Sequence, residues 1–99
     1  MGGYRARDHA MTKAEKAYMG RVAELGCMIC KMLGIEDSPA ELHHLFDSSS
    51  RSNWLIAPVC PAHHRGPRGF HGLGQRAFEA TYKTTEAELL AMTIEALNG

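Results

Sequence analysis

Three cysteines and one histidine are spaced as the ligands of a metal ion would be. Cys27 and Cys30 are separated by two residues, and the same spacing recurs between Cys60 and His63. Zinc takes four tetrahedral sulfur or nitrogen ligands, and two such pairs supply them. An odd number of cysteines does not pair evenly into disulfides. The alternative is that these are ordinary buried cysteines that act as small apolar residues. The paired spacing favours a closed, structural zinc site.

Four further histidines are left over by this site. Five of the six histidines fall between positions 43 and 71. Those not used by the proposed zinc site are His43, His44, His64 and His71. A single histidine is more often a surface or core residue than a metal ligand, but four histidines around one zinc site favour a catalytic role. Neighbouring residues on a strand point to opposite faces, so His43 and His44 are not expected to bind the same ion. The natural assignment is that one of these two histidines is a metal ligand and the other is a general base.

A short hairpin is expected to position these side chains. The segments "AELHHLF" and "WLIAPVC" are each short enough for a strand, and the polar "DSSSRSN" connects them. Pro61 is suited to the first turn of a helix that carries "PAHHR". Trp54 is expected to anchor the core over the hairpin. The segment "CMICKMLG" is expected to form a tight turn, and the glycines of "GPRGFHGLG" to interrupt helical structure.

Capping boxes mark a helix on either side of this core. Thr12 with Glu15 and Thr85 with Glu88 have the required three-residue spacing. The expected organisation is one α+β domain over residues 1–99, with a helix at about 12–25, a core at about 26–83 and a last helix at about 85–97. In that last helix an apolar stripe is expected to pack in the core: Leu90, Ile94 and Leu97.

Charge and composition constrain the partners only loosely. The formal net charge of the 99 residues is zero, which gives no global argument for a nucleic-acid partner. The glycine-rich stretch after His64 carries Arg65 and Arg68, which could reach phosphates from a flexible loop, or the stretch could be a plain connection. The sequence lacks a secretory signal and an apolar run of membrane-spanning length, so a cytoplasmic protein without a membrane partner is expected.

The motifs "LHH", "PVCPAHH" and a later histidine together resemble the HNH nucleases of the ββα-metal superfamily. Within that superfamily the chain is most similar to the phage recombination enhancement nucleases, which depend on RecA. The similarity covers roughly residues 25–83. It rests on the two His-His pairs, which are interleaved in the sequence with the two pairs of proposed zinc ligands. Outside that span the helices carry no signal of the family.

This resemblance implies a role for each residue that matches the motif. His44 would be the general base, and Asn53 would orient it. His43, His64 and His71 would hold one divalent cation, for which the resemblance favours Mg²⁺, whereas three imidazoles also suit Mn²⁺ or another transition metal. The fold implied is a zinc-stapled, treble-clef-like hairpin and helix with flanking helices.

The function implied is metal-dependent hydrolysis of DNA phosphodiester bonds, in a phage or prophage setting. DNA would be the substrate, and a RecA-type recombinase filament is a possible partner. Two alternatives stay open. The chain could be a non-catalytic zinc module that binds DNA or protein, or the spare histidines could form a second structural zinc site.

Overall fold

A computed structural model describes residues 11–36, 38–47 and 52–99 and has the expected α+β composition. Six α-helices and two β-strands follow one another along these residues: α1 (Lys13–Glu24), α2 (Met28–Met32), β1 (Glu41–His44), β2 (Ile56–Val59), α3 (Pro61–Arg65), α4 (Phe70–Leu73), α5 (Gln75–Tyr82) and α6 (Glu86–Asn98). A short 3₁₀ helix, Leu45–Asp47, follows β1. None of the described helices has the length and apolar content needed to cross a bilayer.

The two strands form an antiparallel hairpin, as the sequence predicts. His43 is paired with Ala57 and His44 with Ile56. The predicted polar loop between the strands falls largely on residues 48–51, which lie outside the described residues. All four residues of β2 are buried, whereas β1 alternates so that His43 is buried and His44 is partly exposed. Because successive side chains of a strand point to opposite faces, the two histidines lie in different environments.

Both capping boxes are present. In α1 the Thr12 side chain accepts from the backbone of Glu15, and the Glu15 carboxylate accepts from the backbone N–H of Thr12. In α6 Thr85 and Glu88 make the same reciprocal pair. Each box satisfies two of the N–H groups that a helix start leaves without a partner, so both helix starts are fixed locally.

Two segments differ from the sequence-based expectation. The cysteine-containing segment is a short helix, α2, rather than a tight turn, and Cys27 caps it by accepting from the backbone N–H of Cys30. The glycine-rich stretch interrupts helical structure at residues 66–69, as expected, but its second half forms α4. Gly69 makes this possible, because a Cβ at that position would lie 2.6 Å from the backbone of His63. The glycine thus permits close packing of α4 against α3.

One packing prediction is wrong and another is confirmed only in part. The buried residues of α6 are Glu86, Leu89 and Thr93. Of the predicted stripe, Leu90 is partly buried against the core, whereas Ile94 is 47% exposed. Trp54 is 39% exposed and packs at the surface against Tyr18, with ring centroids 5.0 Å apart. The buried core lies around the hairpin and the cysteines, and includes Ile29, Leu45, Val59, Phe70, Phe78 and Leu89.

Candidate metal centre and active site

Cys27, Cys30, Cys60 and His63 come together in one cluster. The start of α2 supplies the first two thiols, and the start of α3 supplies the other pair. The Cys30 and Cys60 sulfurs are 3.8 Å apart, and Nδ1 of His63 lies 3.2 Å from the Cys60 sulfur and 3.6 Å from that of Cys30. Two sulfurs that each lie about 2.3 Å from one tetrahedral ion are about 3.8 Å apart. The donor atoms are therefore spaced to hold a metal such as zinc.

The surroundings of this cluster also suit a cation. Burial raises the pKa of the Cys27 thiol to about 12, so a thiolate there requires a positive charge beside it. Burial would also raise the pKa of Cys60, but hydrogen bonds from the His63 backbone and the neighbouring cysteines lower it overall. Burial lowers the pKa of His63, which favours the neutral imidazole that a metal needs.

A second cluster contains His43, His64 and His71, whose ligand atoms lie within 4.8 Å of one another. The hairpin supplies His43, α3 supplies His64 and α4 supplies His71. The ring of His43 stacks on Phe70, with centroids 4.0 Å apart, and Phe70 stacks in turn on Phe78. The aromatic core therefore fixes the plane of the His43 ring.

Two carboxylates orient the rings of this second cluster. Glu41 lies beside His64, with 2.9 Å between its Oε1 and Nδ1 of the ring. Glu86, from α6, lies 3.3 Å from Nε2 of His43 and also accepts from the backbone N–H of Phe46. A carboxylate on one ring nitrogen fixes the ring and makes the other nitrogen a better metal ligand. The arrangement of two carboxylate–histidine pairs fits a metal site.

Arg65 pairs with one of these carboxylates. Its guanidinium donates from two nitrogens to Glu41. This hydrogen bonding, together with that from His64, lowers the pKa of Glu41 to about 2, so the carboxylate stays charged. Arg68 is exposed, and its backbone oxygen accepts from the Tyr82 hydroxyl. Of the two arginines predicted to contact DNA, Arg65 is thus engaged within the protein.

His44 is separate from both clusters and is held by Asn53. Nε2 of His44 lies 3.0 Å from Oδ1 of Asn53, and Nδ2 of Asn53 donates to Glu15 over 3.5 Å. The two neighbouring histidines of β1 thus have different partners, Glu86 for His43 and Asn53 for His44. A ring held at one nitrogen leaves the other available to accept a proton.

The structure brings together every residue that the sequence placed at the two clusters. Sequence reasoning missed three residues that contact the histidine cluster, Glu41, Glu86 and Phe70. It also missed the contact between the capping residue Glu15 and Asn53. Glu41 could have been found, because it lies two residues before His43 and so on the same face of the strand. Glu15 and Glu86 come from the flanking helices, and their spacing to the histidines carries no recognisable pattern.

The chain matches the model of a known family. A family model described as "Recombination enhancement, RecA-dependent nuclease" matches residues 11–98. The matched region includes α1 and α6, so the expectation that the flanking helices carry no family signal is wrong. A comparison with curated proteins finds no match.

Proposed function

The chain belongs to the family of recombination enhancement, RecA-dependent nucleases, and from this membership we propose that it is a metal-dependent HNH-type endonuclease that hydrolyses DNA phosphodiester bonds. The family name supports nuclease activity in recombination. The HNH type, the dependence on a metal and the phage setting are parts of the proposal. One observation carries it: His44, the candidate base, and His43, a member of the three-histidine cluster, occupy adjacent positions of one strand and have different partners.

The two clusters support different roles. The cysteine cluster has four protein donors, three of them buried cysteines, which is typical of a closed structural zinc site. The histidine cluster has three donors, of which His71 is exposed, so substrate or solvent can reach a further coordination position. We assign a structural zinc to the first cluster and one catalytic divalent cation to the second. The exposed third ligand disfavours the alternative of a second structural zinc.

The protein's own groups account for proton transfer and orientation. When bound, a divalent cation would neutralise phosphate charge and stabilise the departing oxygen. His44, with Nε2–H donating to Asn53, has Nδ1 free to take the proton from an attacking water. Glu41 and Glu86 hold the rings of His64 and His43 in place. The exposed Arg68, three residues before His71 in the sequence, is the positive charge that we assign to a DNA phosphate.

The proposed partners follow from the family. DNA is the substrate, and a RecA filament on that DNA is the proposed activating partner. A formal net charge of zero gives the chain little general attraction to DNA, which is consistent with recruitment by a partner. A cytoplasmic location is proposed on the same basis, since that is where a RecA filament forms.

A nicking assay on plasmid DNA tests the proposal. We expect cleavage that depends on added Mg²⁺ or Mn²⁺, increases when the DNA carries a RecA filament, and is lost in His71→Ala. Metal analysis should find one tightly held zinc and one weaker, exchangeable site. Two tight zincs and no cleavage under any metal condition would instead identify a non-catalytic zinc module.

A further inference from the structure

We propose that Glu15, in the first helix, is a positioning residue that sets the tautomer of the His44 ring through the Asn53 side chain. The inference rests on the proposed function only where it calls His44 the base. The chain of hydrogen bonds from Glu15 to Asn53 to His44 is a property of the fold.

The Glu15 carboxylate bridges the helix start and the hairpin. Its Oε1 accepts from the backbone N–H of Thr12 at 2.8 Å, and its Oε2 accepts from Nδ2 of Asn53 at 3.5 Å. The residue is 4% exposed, which is rare for a carboxylate unless its oxygens have partners. The capping box thus places one carboxylate oxygen beside the side chain that holds His44.

The tautomer follows from which atoms can donate. An ionised carboxylate only accepts hydrogen bonds, so the NH₂ group of Asn53 must face Glu15. The amide oxygen of Asn53 then faces His44 and can only accept. Nε2 of His44 must therefore carry the proton, and Nδ1 keeps its lone pair. Without Glu15 the Asn53 amide could rotate by 180° and present its NH₂ group to His44, which would favour the opposite tautomer.

If Glu15 had only a structural role, a folded Glu15→Gln protein would keep the wild-type tautomer of His44. Glutamine at this position can still close the capping box through its amide oxygen, so the helix start should be kept in Glu15→Gln. Its NH₂ group would then face the NH₂ group of Asn53, and that clash is relieved when Asn53 rotates. In the double variant Glu15→Gln/Asn53→Asp, the glutamine NH₂ group donates to the new carboxylate, which again accepts only from Nε2–H of His44.

The test is ¹⁵N NMR of the histidine rings in the zinc-loaded protein at about pH 8.5, where ordinary imidazoles are neutral. Protonated and unprotonated ring nitrogens have well-separated ¹⁵N resonances. We expect Nε2–H at His44 in the wild type, a shift of the population to Nδ1–H in Glu15→Gln, and a return to Nε2–H in the double variant. Glu24→Gln removes the same charge at an exposed position of α1 and should change nothing.

A folded Glu15→Gln protein that keeps the wild-type His44 tautomer would overturn the proposal. If the single variant does not fold, a folded double variant with Nδ1–H at His44 would overturn it as well. In the nicking assay, kcat of Glu15→Gln should fall at least about 10-fold with KM for DNA unchanged, and the double variant should recover most of it. Absence of nicking by the wild type would reject the proposed function but leave the tautomer result standing.

Discussion

His63 and His64 are consecutive residues of one short helix, yet they belong to two different clusters of side chains that could hold a metal ion. Successive residues of a helix point about 100° apart, so one turn of α3 can serve two sites. Nδ1 of His63 faces the cysteine sulfurs, whereas His64 lies beside His43 and His71. The proposed structural zinc therefore fixes the helix from which a catalytic ligand projects.

We predict that Cys27→Ala loses both the tightly held zinc and the folded state. Cys27 is buried, caps α2 and contributes one of four clustered donors. Loss of one ligand forfeits free energy of metal binding that is coupled to folding. Thermal unfolding followed by circular dichroism should show no cooperative transition, and metal analysis should find less than one zinc per chain.

His71→Ala is the matched control for this experiment. It also removes a proposed metal ligand, but one that is exposed and outside the cysteine cluster. We expect it to keep its zinc and its cooperative transition while losing nicking activity. A folded, zinc-loaded Cys27→Ala protein would rule out the structural zinc site.

His44→Ala should slow nicking by at least about 100-fold without changing the fold or the metal content. The His44 ring is partly exposed and contacts Asn53, not the clustered ligands, so its removal leaves a small gap near the surface. Loss of a general base typically costs about 10²–10⁴-fold in rate. Single-turnover nicking, with zinc content and melting temperature measured alongside, checks this. Undiminished cleavage by the variant would mean that another group is the base.

Sequence spacing predicts the cysteine–histidine cluster, and strand alternation predicts that His43 and His44 point apart, because both patterns are local. The set of His43, His64 and His71 came only from the resemblance to HNH nucleases. The supporting carboxylates are less accessible to such reasoning. Glu86 is buried because its carboxylate has partners on the hairpin. One of these partners, His43, lies 43 residues earlier in the sequence.

The buried face of α6 was predicted only in part, for a similar physical reason. Thr93 looks polar in the sequence, but its hydroxyl donates to the backbone oxygen of Leu89 within the helix. A satisfied hydroxyl can be buried at little cost, whereas the more apolar Ile94 is left exposed. Apolar periodicity alone therefore includes the exposed Ile94 and omits the buried Thr93.

Arg68→Ala should weaken DNA binding, and the effect should shrink as salt is raised. Arg68 is exposed, and no side-chain ion pair is found for it within the described residues. Loss of one phosphate contact lowers the slope of log K against log salt by about 1. Fluorescence anisotropy over a salt series measures this slope.

Arg65→Ala is the comparison variant for Arg68→Ala. Because Arg65 is paired with Glu41, its loss should mainly disturb the support of His64 and so weaken binding of the divalent cation. An equal loss of salt slope in both variants would show that Arg65 also contacts the phosphate backbone.

Glu86→Gln should weaken binding of the proposed catalytic cation by about 10–100-fold while leaving the proposed structural zinc in place. Glu86 is 4% exposed, lies beside His43 and also accepts from the backbone N–H of Phe46, just after the two histidines of β1. Replacing the carboxylate by an amide keeps the volume but removes the charge that strengthens His43 as a ligand. Glu95→Gln, at an exposed position of the same helix, is the matched control and should bind the cation as the wild type does. Mn²⁺ titration followed by electron paramagnetic resonance gives the affinity of each protein. Equal Mn²⁺ affinity in the two variants would mean that Glu86 supports the fold of the hairpin end but does not tune the metal site.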